Sequence, residues 1–304
     1  MHRISELERI IKKNVGWHKS RVDCLVQLLL SLISVRTVNL RELALGMSDK
    51  SLLSSREKRI YRFFATFSFD VSCISKLILN VFSRNNKKMY IAIDRTNWYW
   101  GKKPINILML SICYEGIAIP LLWDVLNKEG TCSGAEQIRL CKRFIMRFGA
   151  SNIAGFLGDR EFANRYFIGW LNDAKLPFYF RVKHDAQVYI GKKKYKKAKQ
   201  LFPTLAPYEP HLFKMRVKMF GVMVYISGTR NERDEHMLVI TNDNYQAAIP
   251  IYLRRWEIES LFQALKSRGF RFEDTHMTKP ERIEKMIALL ALGELAQTRS
   301  YKSS

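Results

Sequence analysis

Three carboxylates stand out by their settings. Asp94 closes the apolar run MYIAID and Asp159 closes IAGFLGD, while Glu259 sits in YLRRWEIESLFQALK (252–266) with Tyr252, Arg255 and Lys266. A strand-end acid is often no more than a turn former. If the two strands are parallel neighbours joined by a right-handed crossover, however, both acids emerge at one edge of the sheet. Their mutual repulsion is relieved when a cation sits between them. Oxygen ligands without His or Cys suit Mg²⁺ or Mn²⁺ better than zinc. Three carboxylates can hold two such ions about 4 Å apart, one activating water or a hydroxyl and the other stabilising the leaving oxygen of a phosphodiester.

The third acid depends on helix geometry. In one continuous helix at about 100° per residue, Tyr252, Arg255, Glu259 and Lys266 share an arc of about 60°, and Glu257 points elsewhere. Leu253, Trp256, Leu261, Ala264 and Leu265 cover much of the remaining surface, so the helix should be largely buried. A buried carboxylate is costly unless it is paired or binds a metal. On this segment alone, a salt-bridged stripe at the edge of the core explains the same face.

The elements needed to position these residues are readable in outline. Residues 1–87 read as a helical domain, with apolar residues three and four apart in Ile4-Leu7-Ile10-Ile11 and Val22-Leu25-Val26-Leu29-Ile33. Within it, Asn39 can cap a short helix over 40–45, Gly46 can end it, and Asp49 or Ser51 can start a second helix. That second helix carries Lys50, Arg56, Lys58, Arg59 and Arg62, the layout of a helix-turn-helix with a basic face; a bundle with a solvated basic face is the alternative. SRNNKK (83–88) reads as a linker. Residues 88–183 then give strand (89–94), hairpin (105–126, turning at Tyr114-Glu115-Gly116), helix (133–148), strand (153–159), helix (164–174) and strand (177–182). This is an α/β domain with a mixed sheet. Residues 184–245 read as a β-rich insertion with a hairpin around Gly221, and 246–304 return to helix.

Composition narrows the partner. The 304 residues carry 51 Lys+Arg against 28 Asp+Glu, a net charge of +23. An excess this large calls for a polyanion, with nucleic acid the first candidate. A membrane surface is the competing polyanion. Yet the longest apolar run, CLVQLLLSLISV (24–35), is too short to span a bilayer, and MHRISELERIIKK is not a signal sequence. Five cysteines without a CxxC pair suit a reducing cytoplasm and argue against a zinc site.

The spacing Tyr252-x2-Arg255-x3-Glu259-x6-Lys266 resembles the Y-R-E-K signature of DDE transposases of the insertion-sequence-four family. IAIDRTNW (91–98) resembles the family's first Asp block and FLGDREF (156–162) its second, in the family's order. The likeness runs over about residues 20–290. It implies a ribonuclease-H-like core with Asp94, Asp159 and Glu259 as catalytic metal ligands for Mg²⁺ or Mn²⁺, two ions in all. It also implies cleavage at transposon ends followed by strand transfer into target DNA. Tyr252, Arg255 and Lys266 would contact phosphates near the cleaved end, and Trp256 would stack on that end or pack in the core. The implied partners are double-stranded DNA, as terminal inverted repeats and target, and a second copy of the chain. The implied setting is a prokaryotic cytoplasm, at the nucleoid through DNA.

Arg160 beside Asp159 and Lys102-Lys103 after the first block can be read as DNA contacts or as solvated charges, and two further features depart from the pattern. Family members that cut through a DNA hairpin hold a flipped base on a tryptophan in the insertion; this insertion has none, leaving Phe220 or Tyr225 as aromatic platforms. After a helix near Glu281 to Gln297 the chain ends in a polar tail, where relatives often continue into a further helical region. Two other readings stay open. A DNA-binding protein without catalysis fits poorly with an intact set of acids, and a ribonuclease-H-like nuclease acting on hybrids or junctions has no need of the helical domain.

Overall fold

Helices occupy the first part of the chain: α1 (His2–Val15), α2 (Lys19–Val35), α3 (Leu40–Gly46), α4 (Leu53–Ala65) and α5 (Ser72–Phe82). The structure, a computed structural model, describes residues 2–302 except 49, 83–87, 192–193, 231–234 and 267–268, and side chains only within 9–297. Asn39 caps α3 as its sequence predicts, its Oδ1 accepting from the N–H groups of Arg41 (3.0 Å) and Glu42 (3.4 Å). The next helix starts later than expected. Leu52, not Ser51, is the N-cap of α4 and offers no side-chain bond; Asp49, like most of the expected linker, lies outside the described residues. Arg56 reaches back to the carbonyl of Met47 (2.7 Å) and closes the turn from within.

The sheet follows. Strands β1 (Met89–Trp100), β2 (Lys103–Tyr114) and β3 (Ile117–Leu126) form an antiparallel meander. Its second turn has Glu115 at φ 50° and Gly116 at φ 88°, the left-handed pair that a tight two-residue hairpin requires. Helix α6 (Gly134–Phe148), opened by a Ser133–Glu136 capping box, leads to β4 (Ile153–Gly158). Then come α7 (Arg165–Asp173) and β5 (Phe178–Val182), followed by the short strands β6 (Gln187–Tyr189), β7 (Tyr195–Lys197), β8 (His211–Leu212) and β9 (Val217–Met219). β10 (Val222–Arg230) and β11 (His236–Thr241) complete the set. Helices α8 (Ala248–Leu253), α9 (Trp256–Leu265) and α10 (Pro280–Lys302) close the chain.

The strands join in one sheet of eleven, in the order β3-β2-β1-β4-β5-β11-β10-β9-β6-β7 with β8 against β10. β4 lies parallel to both β1 and β5, and the other pairs are antiparallel, so the architecture is α/β with a large mixed sheet. β2 is buried from Ile105 to Cys113 because helices cover both faces of the sheet there. One expectation needs correction. The first strand runs on to Trp100, because its ladder with β2 continues from Asp94↔Met109 to Trp100↔Lys103. The β-rich segment extends the core sheet, since β11 pairs with β5 (Leu238↔Val182); alternation within a strand does not reveal its neighbour.

One hydrophobic cluster includes α2, α4, the sheet and α10. Helix α10 packs against both α2 and β3, and buried Lys285 donates to the carbonyl of Phe64 (3.0 Å). Ser75 of α5 donates to the Leu121 carbonyl of β3. The helical part is therefore fixed to the sheet that carries the carboxylates. All five cysteines are free thiols, and no single helix among the described residues is long and apolar enough to cross a membrane.

Candidate active site

The last rung of the parallel β1–β4 ladder pairs Ile93 with Gly158. The next residue after each is an aspartate, so Asp94, still within β1, and Asp159, just past the carboxyl end of β4, lie side by side where the parallel pairing stops, near the strand ends at which α/β sheets place their sites. Asp94 Oδ1 accepts from the N–H of Arg95 (2.7 Å), and its Oδ2 accepts from Nη1 of Arg255 (3.2 Å). The same guanidinium donates from Nη2 to Glu259 Oε1 (2.5 Å) and from Nε to Tyr252 Oη (3.1 Å). Arg255, only 3% exposed, thus bridges Asp94 on the sheet to Glu259 on α9, which crosses β1, β2 and β3.

The continuous helix expected over 252–266 is broken. Arg254 and Arg255 form a turn between α8 and α9, with bonds from Arg255 N to Tyr252 O, Glu257 N to Arg254 O and Ile258 N to Arg255 O. These three-residue steps tighten the backbone locally and superpose residues three apart. Tyr252 and Arg255 are therefore brought into contact, and Glu259 follows one α-helical turn later. Tyr252 is buried, and burial raises its hydroxyl pKa. Lys266 caps the end of α9, donates to the Asn97 carbonyl (3.1 Å), pairs with Glu273 (3.2 Å) and lies 5.4 Å from the Trp98 ring centre. Trp256 is 52% exposed, so it is a surface residue and not part of the core.

Glu257 faces the opposite way. It accepts from the backbone N–H groups of Tyr114 and Gly116 and lies 3.6 Å from Arg254 Nε. Arg254 in turn donates to the Cys113 carbonyl (2.8 Å).

Electrostatics separate the acids. Loss of water pushes Asp94 up to about 6; Arg255 opposes the shift, and Asp159 and Glu259 add to it. Arg255 is held more firmly protonated by Tyr252, Asp94 and Glu259 against the cost of its own burial. Asp159 Oδ1 is buried with no hydrogen-bond partner, its nearest cation being Arg160 Nε at 3.9 Å.

A divalent cation fits the chemistry of this set, three hard carboxylates with one unsatisfied buried oxygen. It does not fit the present spacing: among the described residues no three His, Cys, Asp or Glu side chains converge on one point, and Arg255 occupies the place between Asp94 and Glu259.

Behind the acids lies a pair that periodicity could not reveal. Arg95 points to the opposite face of β1 and grips Glu161 with two bonds (2.9 and 3.2 Å), while Glu161 also accepts from Cys132 N (3.1 Å). The pair fastens the residue after Asp94 to the turn after Asp159. Beside Asp159 opens a groove of about 820 Å³ whose lining includes Arg160, Arg165, Lys183, Tyr189, Tyr195 and Phe220. Tyr225, the other aromatic candidate, is stacked on Tyr245 (4.3 Å). On α4, Arg62 is exposed, Arg59 is half-buried and Arg56 is spent on Met47.

The family model described as a transposase DDE domain matches residues 85–293, which include all three carboxylates. Among solved structures, a piggyBac transposase synaptic complex with hairpin DNA is 11% identical over 99% of this chain and 74% of that chain, with a TM-score of 0.47. An endonuclease V from Bacillus subtilis is 12% identical over 79% of this chain and 97% of that chain, with a TM-score of 0.27. No curated protein sequence matches the chain. With more than half its length matched by that family model, the chain belongs to the transposase DDE domain family.

Proposed function

We propose that this transposase cuts DNA at the ends of an insertion sequence and joins those ends to target DNA, with Asp94, Asp159 and Glu259 as its catalytic carboxylates on a ribonuclease-H-like core. The observation that carries the reading is the pairing of Ile93 with Gly158, which sets Asp94 and Asp159 side by side, with Arg255 bridging Asp94 to Glu259. Asp94, Asp159 and Glu259 would hold Mg²⁺ or Mn²⁺, as two ions, once Arg255 withdraws from between Asp94 and Glu259. Such ions supply an activated water or hydroxyl and charge neutralisation at the leaving oxygen.

The remaining residues position DNA. Arg255, released from the acids, and Lys266 at the end of α9 are suited to phosphates as charge-assisted donors. Tyr252, buried beneath Arg255, sets the direction of that guanidinium. Exposed Trp256 offers a ring to the cleaved end. The basic face of α4, with Arg62 outward, Arg59 half-buried against Cys24 and Arg56 bracing the turn, would bind duplex DNA in the terminal inverted repeats. Two ends must be joined together, which implies a homodimer on DNA.

The test is a nicking assay with the purified chain, Mg²⁺ and DNA from either side of its gene. The parent protein should nick at the repeat boundary, and Asp94→Ala or Asp159→Ala should abolish nicking while leaving binding of the ends largely intact. Full activity in either variant would remove it from the catalytic set.

A further inference from the structure

Strand β1 does not stop where its chemistry does. β4 accompanies it only as far as Ile93, and β3 accompanies β2 only as far as Asn106. Residues 98–105 thus have no lateral strand on either side among the described residues and form a two-stranded ribbon turning at Gly101 (φ 56°). A lone hairpin is marginally stable, but this one is braced. Trp98 packs edge-on against Phe272 (4.9 Å), Lys266 lies over the same ring, and Trp100 stacks on His276 (4.0 Å, 21°). Beyond the brace, Tyr99 is 56% exposed and Trp100 39%, with Lys102 and Lys103 exposed at the turn. No acid occurs between Asp94 and Asp124 except Glu115, at the opposite end of the meander.

We propose that this β1–β2 ribbon is a DNA-reading element that enters the major groove beside the reacting phosphate, an assignment that rests on the DNA-cleaving function above. A two-stranded ribbon has the width that the major groove admits. Six strand steps lead from Asp94 to Trp100, a reach of about 20 Å, which corresponds to about six base pairs along a duplex. Lys102 and Lys103 meet phosphates or guanine edges there, and Tyr99 lies against bases or sugars. The ring stacks to Phe272 and His276 hold the ribbon in a fixed direction, so that its contact sets the position of the duplex over the carboxylates.

The probe is duplex DNA from the ends flanking the gene, treated with dimethyl sulfate, which reports guanine N7 in the major groove and adenine N3 in the minor groove. The parent protein should protect guanine N7 about six base pairs from the nick. A Tyr99→Ala/Lys102→Ala/Lys103→Ala variant should lose that protection, bind with a log–log salt slope shallower by about two, and nick saturating DNA at less sharply defined positions. Thermal unfolding checks the fold of the variant, and the parent's guanine pattern stands even if the triple variant fails to fold. Unchanged protection and slope in the folded variant, or protection confined to adenine N3, would overturn the ribbon assignment alone. A parent that neither binds nor nicks the ends would remove the cleaving function and the ribbon with it.

Discussion

Two arginine–glutamate pairs stand shoulder to shoulder at the α8–α9 break, and they face opposite ways. Arg254 and Glu257 turn to the β2–β3 hairpin, where one donates to the Cys113 carbonyl and the other accepts from the backbone of Tyr114 and Gly116. Arg255 and Glu259 turn to Asp94, and their partners are side chains with charges to neutralise. The first pair caps a turn. The second joins carboxylates from two separate elements around one guanidinium. Residue type does not distinguish them; direction does, and direction is set by the tight turn at 254–255.

The comparison can be broken at its most loaded point first. Arg255→Ala should cost about 3–5 kcal/mol in denaturant unfolding, because it leaves buried Asp94 and Tyr252 without their partner, and should also remove nicking. Arg254→Ala should cost less, about 1–2 kcal/mol, through the lost bond to Cys113 and the stranded Glu257. Nicking per folded molecule should be unchanged. Equal losses of activity in the two variants would erase the distinction between the pairs.

A smaller effect follows from acidity. Asp94 titrates near 6 in the folded chain against 3.8 for an ordinary aspartate, so between those values the folded state binds its proton more tightly than the unfolded chain does. Its contribution to stability is therefore largest at low pH and falls as pH rises through that window. Unfolding free energies measured without divalent metal from pH 3.5 to 7 should show this decline in the parent and lack it in Asp94→Asn. The smallest change expected is from Lys266→Ala, which keeps α9 and the acids in place. It should weaken binding of DNA ends with a salt slope reduced by about one.

Much of this site is legible in the chain. IAID and IAGFLGD are short apolar runs closed by acids, and the order strand, hairpin, helix, strand between them permits the right-handed parallel pairing that Ile93↔Gly158 then shows. The four-residue spacing around Glu259 draws Tyr252, Arg255 and Glu259 together, as the structure has them, but for a partly mistaken reason. It assumes an unbroken helix, whereas the contact of Tyr252 with Arg255 arises from a turn that carries no Gly or Pro to announce it. Arg95 and Glu161 lie 66 residues apart, one on β1 and the other in the turn after β4, so no local period links them. The overhang of β1 and the docking of β11 on β5 are likewise choices of partner, which depend on the whole sheet.

The most direct test sets Glu259→Gln against Glu257→Gln in one Mg²⁺-dependent nicking assay, with DNA binding measured in parallel. Loss of nicking on the order of a thousandfold in Glu259→Gln, with end binding retained and near-parental nicking in Glu257→Gln, is the expected result. An active Glu259→Gln protein, or a folded Glu257→Gln protein that binds ends but cannot nick them, would contradict it.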